Sequence, residues 1–349
     1  MRIAVLNNKK AVRKQLTNII AGCLCHELAW SAETGHEAKA MCLNELPDLL
    51  LMDPLIRDTA GVDVIHHIMK FTPCPILIVT GSVEERSEIV FDALAAGALD
   101  AVNTPLANSV NYQQLEKNLL RKISIIEVLT KEPEVAELDT MDVCLNPNSG
   151  RPEKNIIAIG CSSGGPDALA RLLSNLPQDF QSPILVIQHV DAEFVPGLAQ
   201  WLNLKSTLPV ELMVSGTMPM PGKVLLSATN MHLVMTPAGL LEYCAEPAGT
   251  PYKPSVDVFY KSLAQHWKHS VTAILLSGMG SDGAHGMLEL RCKGAYTIAQ
   301  DEATSTVYGM PKAAFELGAV IDVLPIHRIA NALSANCRGI GNTVSAGLV

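Results

Sequence analysis

Three short segments carry side chains able to perform acyl transfer, and each follows an apolar run. Ser162 stands in Ile159-Gly160-Cys161-Ser162-Ser163-Gly164-Gly165-Pro166. Glycines allow a tight strand-to-helix turn that lifts a hydroxyl clear of the chain, while nearby N–H groups face a developing oxyanion. Gly160-Cys161-Ser162-Ser163-Gly164 also satisfies G-x-S-x-G, the nucleophile-elbow pattern. By itself the turn reads equally as a nucleophile, as a phosphate cradle at a helix N-terminus, or as a plain turn with an incidental serine. Neither G-x-G-x-x-G nor G-x-x-x-x-G-K-[ST] is met, because Cys161 to Ser163 hold no glycine and no lysine follows.

His189 follows Pro183 to Ile187 and Gln188. In open α/β sheets ligands bind beyond the carboxyl ends of strands, so a histidine there is placed for general-base work. A lone histidine more often only satisfies local hydrogen bonds. Asp282 lies in Ser277-Gly278-Met279-Gly280-Ser281-Asp282-Gly283, again behind an apolar run. It could orient His189 and stabilise the protonated ring, although turns rich in Gly, Ser and Asp are common. All three groups fall at the carboxyl ends of strands expected in one sheet. Their order, Ser162, His189, Asp282, differs from the Ser, acid, His order of α/β-hydrolases, which disfavours a lipase-like fold.

The elements that must position these groups alternate along the chain. Arg2 to Leu6, Leu49 to Met52, Pro75 to Val79 and Asp100 to Val102 read as buried strands, with Val12, Leu16, Ile19 and Ile20 at helical spacing and a helix from Arg86 to Ala96. A helix from about Tyr112 to Leu129 turns Leu115, Leu119, Ile123 and Ile126 inward and Lys117, Arg121 and Lys122 towards solvent. Lys131 to Lys154 is rich in Pro, Asn, Ser and Gly and reads as a linker. A second alternation follows: strand Ile156 to Ile159, helix Asp167 to Leu176, then strands Ile184 to Ile187, Val271 to Leu276 and Val320 to Leu324. Shorter β-like runs fill Pro209 to Pro237. Strands alternating with helices predict parallel, doubly wound sheets.

At 349 residues the chain has room for two domains, and 48% hydrophobic against 17% charged residues suits buried parallel sheets. The net charge of -9 and the want of a Lys/Arg cluster argue against nucleic acid. Nine scattered cysteines with no C-x-x-C pair suit a reducing cytoplasm and argue against zinc. No apolar run approaches the ~18 residues of a membrane span, so membrane insertion is not expected. The missing glycine fingerprint also disfavours a dinucleotide-binding protein.

Taken together, the segments around Ser162, His189 and Asp282, with Lys253-Pro254-Ser255-Val256-Asp257 and Ile298-Ala299-Gln300-Asp301-Glu302-Ala303-Thr304-Ser305 through Gly309-Met310-Pro311, follow the family order and approximate spacing. On these motifs the chain resembles, over essentially its whole length, the chemotaxis protein-glutamate methylesterases. The resemblance implies an α/β chain with a receiver-like (flavodoxin-like) doubly wound sheet over residues 1–130, a linker at 131–154, a Rossmann-like doubly wound methylesterase domain at 155–337 and a tail at 338–349. It implies hydrolysis of glutamate γ-methyl esters, and deamidation of certain glutamines, on methyl-accepting chemoreceptors. Carried over by motif, Ser162 is the nucleophile, His189 the general base and acid, Asp282 its orienting carboxylate, and the Met279 N–H an oxyanion donor. Ser163 stands where many members have threonine. No cofactor is implied for the esterase. A cytoplasmic monomer partnered by the receptors and a chemosensory histidine kinase is expected; a docking module of the same fold with little turnover is the alternative.

The first domain resembles a receiver, with Asp53 as phosphoacceptor and Thr80 as switch residue. It is most similar to receivers of methylesterases in Wsp-type surface-sensing pathways. Asn7 and Asn8 replace the acidic pair and Thr104 replaces the lysine. Amide oxygens are poorer ligands than carboxylates for a hard cation, so Mg2+ binding and phosphorylation at Asp53 are expected to be weakened.

Overall fold

The computed structural model describes residues 1–81, 87–106, 109, 111–130, 155–250 and 252–337. The chain divides into two compact units, Met1–Glu137 and Leu138–Val349. The expected linker at 131–154 and tail at 338–349 lie outside the described residues.

The first unit runs β1 (Arg2–Leu6), α1 (Lys10–Ala21), β2 (Glu27–Ala32), α2 (Gly35–Asn44), β3 (Leu49–Met52), α3 (Gly61–Phe71), β4 (Ile76–Thr80), α4 (Ser87–Ala95), β5 (Asp100–Asn103) and α5 (Tyr112–Thr130). Its strands form one parallel sheet in the order β2-β1-β3-β4-β5, the flavodoxin-like arrangement. The inner strands Leu49–Met52 and Ile76–Thr80 are buried throughout, as strands covered by helices on both faces must be. Sequence reading gives no strand at β2. It is an edge strand whose Trp30 and Ala32 alone are buried, so its apolar signal is thin.

Lys122 corrects an expectation. It is buried rather than turned to solvent, and its Nζ donates to Asp100 Oδ2 at 2.6 Å. Helical spacing assigns lysines to the wet face by type, but a long stem can carry an ammonium inward where a carboxylate receives it. Leu119, Ile123 and Ile126 form the buried stripe beside it.

The second unit runs β6 (Ile156–Cys161), α6 (Gly165–Ser174), β7 (Ile184–Gln188), α7 (Val195–Asn203), β8 (Val210–Leu212), β9 (Val224–Leu226), β10 (His232–Met235) and β11 (Leu241–Cys244). It continues through α8 (Val256–His266), β12 (Val271–Leu275), α9 (Ala284–Cys292), β13 (Tyr296–Gln300), α10 (Met310–Glu316), β14 (Asp322–Leu324) and α11 (Ile326–Cys337). Seven strands form a parallel sheet in the order β14-β13-β12-β6-β7-β9-β8, and β10 and β11 make a separate antiparallel ribbon. Ile156, Ala158, Leu185, Ile187, Ala273 and Leu275 pack with α8, α9 and α10 in one core. Strand alternation turns the intervening residues to the other face. The order reverses between β6 and β12, the topological switch point where such sheets bind ligands. Sequence reading passed over β13, because Thr297 and Gln300 are polar although buried.

The second sheet draws all its strands from residues after Asn155. A fragment beginning at Asn155 is therefore expected to fold alone and to unfold in one cooperative transition by circular dichroism.

Candidate active site

Of the three middle strands, β6 and β7 lead directly into Ser162 and His189, and the loop that follows β12 carries Asp282. Cys161 is level with Gln188, and Gly160 with Leu275. The ladder continues past the strand ends, for Ser162 N donates to Ser277 O at 3.0 Å and His189 N to Cys161 O at 3.0 Å. Gln188 Nε2 donates to Ser162 O at 2.8 Å and fixes the serine turn to the histidine strand. Ser162 and His189 thus leave neighbouring strands side by side. Two glycines are required by this crowding. A Cβ on Gly278 would lie 2.4 Å from Met310 Sδ and 3.0 Å from Ser162 Cβ, and Gly164 adopts φ +75 at the start of α6.

Asp282 is the most heavily bonded group at this edge. Its Oδ2 accepts from His189 Nε2 at 2.8 Å and Val256 N at 2.7 Å, and its Oδ1 from Ser255 Oγ at 2.8 Å and Asp257 N at 3.1 Å. Three of these donors form the first turn of α8, where the helix dipole favours an anion. Burial pushes the Asp282 carboxyl up, but the contacts with His189, Val256 and Ser255 outweigh it and hold it below its ordinary value. The His189 ring stacks on Tyr252 with centroids 4.6 Å apart and planes 4° from parallel. Carboxylate and phenol together fix the imidazole.

With Nε2 bonded to Asp282, the nitrogen left to His189 is Nδ1, which is buried and has no hydrogen-bond partner among the described residues. The Ser162 hydroxyl likewise has no hydrogen-bond partner among the described residues. No hydrogen bond joins the two, so the structure couples His189 to Asp282 and only places Ser162 alongside. In the Asp282 loop, Ser277 N donates to Gln300 Oε1 at 2.8 Å and Gly278 N to Val307 O at 3.0 Å. Met279 N–H is the first in that loop without a partner among the described residues.

The segment Lys253-Pro254-Ser255-Val256-Asp257 cradles Asp282, a task that its sequence does not announce. A serine before the apolar run from Val256 is an N-cap signal, and Ser255 does cap α8 by accepting from Val258 N at 3.3 Å. Nothing in the sequence marks Tyr252 as the partner of a ring far away in the chain.

In the first unit, Asp53 is buried after β3, with Oδ1 accepting from Leu55 N at 3.0 Å and Oδ2 from Asn7 Nδ2 at 3.2 Å. Asn7 Oδ1 is turned to Lys9 N at 2.8 Å, and Asn8 Nδ2 donates to Leu55 O at 2.9 Å. Thr80 and Thr104 are buried on neighbouring strand ends, Thr104 N donating to Thr80 O at 2.8 Å. These residues fit a divalent cation poorly, because Asn7 presents an N–H to Asp53 where a hard cation needs oxygens. Among the described residues no three His, Cys, Asp or Glu side chains gather as metal ligands in either unit.

Comparison with known proteins gives the family. Residues 157–333 match the CheB methylesterase family and residues 3–116 the response regulator receiver domain family. The chain is 44% identical over 334 residues to protein-glutamate methylesterase/protein-glutamine glutaminase 2 of Burkholderia lata, covering 95% of this chain and 96% of that one. It is 45% identical over 339 residues to a protein of the same description from Burkholderia orbicola, covering 97% and 100%. The crystal structure of the Thermotoga maritima CheB methylesterase catalytic domain aligns with 34% identity and a TM-score of 0.49, over 51% of this chain and 96% of that one.

Because the Asp282 carboxyl is held below its ordinary value, its contribution to stability is full above the unfolded value of about 3.9 and is lost as pH falls through the folded value. The stability advantage over Asp282→Asn is expected to be constant above about pH 5 and to shrink below about pH 4, read by urea denaturation across pH.

Proposed function

The chain belongs to the CheB methylesterase family, with that family's receiver at its N-terminus, and from this premise we propose that it hydrolyses glutamate γ-methyl esters on chemoreceptor signalling helices through Ser162, His189 and Asp282. The observation that carries the residue assignment is the His189 ring. One nitrogen is held by a buried carboxylate, the other is buried and unpartnered, and the ring leaves the sheet beside Ser162. Ser162 Oγ attacks the γ-carbonyl carbon as its proton passes to His189 Nδ1. The oxyanion forms against the Met279 N–H, and Asp282 stabilises the imidazolium. Collapse of the tetrahedral intermediate breaks the bond to the methoxy oxygen, which takes the proton from His189 and leaves as methanol. Water then attacks the acyl-enzyme, His189 again taking the proton, and glutamate and Ser162 are restored. With a glutamine side chain the same steps release ammonia.

The receptors are the substrate partners and a chemosensory kinase the partner of the receiver, in the cytoplasm. Among the described residues no helix is long and apolar enough to cross a membrane. The weak donor set around Asp53 supports a receiver whose phosphorylation is impaired.

Release of methanol from a methylated receptor fragment tests the activity. Ser162→Ala and His189→Ala are each expected to lower the rate by about 10⁴-fold or more, and the double variant by little beyond either, because the residues act as one unit. Asp282→Asn should cost less than loss of the nucleophile. Multiplying effects of Ser162 and His189 would separate them chemically. For the receiver, treatment with a small phosphodonor and Mg2+ is expected to leave most of the chain at its unmodified intact mass and the esterase rate unchanged.

A further inference from the structure

His232 is a buried histidine on β10 that the reaction does not use, and it stands behind the catalytic pair. It has 0% exposure. Its Nδ1 accepts from Ser255 N at 3.1 Å, while its Nε2 lies 3.2 Å from Pro247 O and 3.0 Å from Thr250 Oγ1. A neutral imidazole has one N–H and one bare nitrogen. Since a backbone N–H can only donate, Nδ1 is the bare nitrogen and the proton is on Nε2, directed at Pro247 O and Thr250 Oγ1.

One end of that ring leads to His189. Through Nδ1 it fixes Ser255, whose hydroxyl and following N–H groups hold Asp282. Through Nε2 it fastens the segment containing Pro247 and Thr250. β10 is itself tied to α8, where Met235 N donates to Ser262 Oγ at 2.9 Å. The carboxylate beside His189 is therefore held, through Ser255, from His232.

We propose that His232, as the neutral Nε2–H tautomer, is a positioning residue that aligns Asp282 on His189 through Ser255, an inference that rests on the catalytic reading above. Burial disfavours the charged ring; the Pro247 carbonyl opposes this, Lys253 adds to it, and Asp282 and Glu246 oppose it. The bare nitrogen is thus kept available to Ser255.

Side-chain amides separate the two contacts. In His232→Asn an amide oxygen stands near the place of Nδ1, so the acceptor for Ser255 is kept; in His232→Gln an amide nitrogen stands near the place of Nε2, so only the tie to Pro247 is kept. His232→Leu keeps neither. In the full chain, His232→Leu is expected to lower kcat by about 100-fold with KM little changed, the cost of a misplaced catalytic group. His232→Asn should recover most of the loss and His232→Gln should remain below it. If the leucine variant does not fold, the Asn and Gln variants alone carry the comparison. Wild-type kcat in folded His232→Leu, or Gln equal to or better than Asn, overturns the proposal. Independently of any turnover, the 15N shift of His232 Nδ1 in the Ser162→Ala chain is expected to be that of an unprotonated, hydrogen-bonded nitrogen. A protonated Nδ1 would overturn the tautomer assignment whether or not the catalytic reading holds, whereas an active Ser162→Ala chain would overturn Ser162 as the nucleophile and leave the nitrogen shift to stand by itself.

Discussion

A carboxylate removed from water is tolerated only where donors replace the solvent, and the upper edge of the second sheet is organised to meet that condition at Asp282. Four donors reach it, three from the first turn of α8 and one from His189. α8 must begin where it does for those donors to be present. Its own place is set by Tyr260, whose hydroxyl donates to Ile274 O at 2.7 Å and approaches Ala158 O at 3.2 Å beneath β12 and β6. The anion thereby links a helix start, a loop and a strand end that are remote in sequence. Removing its charge would loosen all three at once.

Much of this was legible in the residue pattern. Parallel strands buried on both faces appear as unbroken apolar runs, so β3, β4, β6, β7 and β12 could be placed from sequence almost to the residue. The serine, histidine and aspartate could be assigned to a shared edge because Ser162 and His189 stand just past such runs and Asp282 lies in the short loop after one. What escaped notice depended on contacts across the fold. β2 is half exposed and β13 carries polar residues inward, so neither looks apolar enough. Lys122 is charged yet buried, because pairing with Asp100 overrides what residue type suggests. Tyr252 and His232 act through rings and loops far from them in the chain, where no periodicity reaches.

The two units treat a buried aspartate in opposite ways. Asp282 gathers donors that favour its charge and make it a fixed anion. Asp53 also receives N–H groups, from Leu55 and Asn7, but in its fold the same oxygens would have to face a cation. Asn7 turns an amide N–H to Asp53, so the pocket offers a donor where a cation would need oxygens, while the sheet order is that of the fold. Fold and chemistry are separable here, since the strands need only apolar side chains and the pocket needs particular oxygens.

The choice of ring nitrogen also has a metric consequence. A histidine whose Nε2 is committed to a carboxylate works through Nδ1, the nitrogen nearer its own backbone, and so has a short reach. Neighbouring strands lie about 4.8 Å apart, and Cys161 and Gln188 are level across that gap. On the proposed reading the lattice of the sheet is the ruler for the reaction, and the hydroxyl comes from β6, one strand spacing away. The single strand-helix-strand crossover from β6 to β7 therefore sets Ser162 and His189 one step of the hydrogen-bond ladder apart.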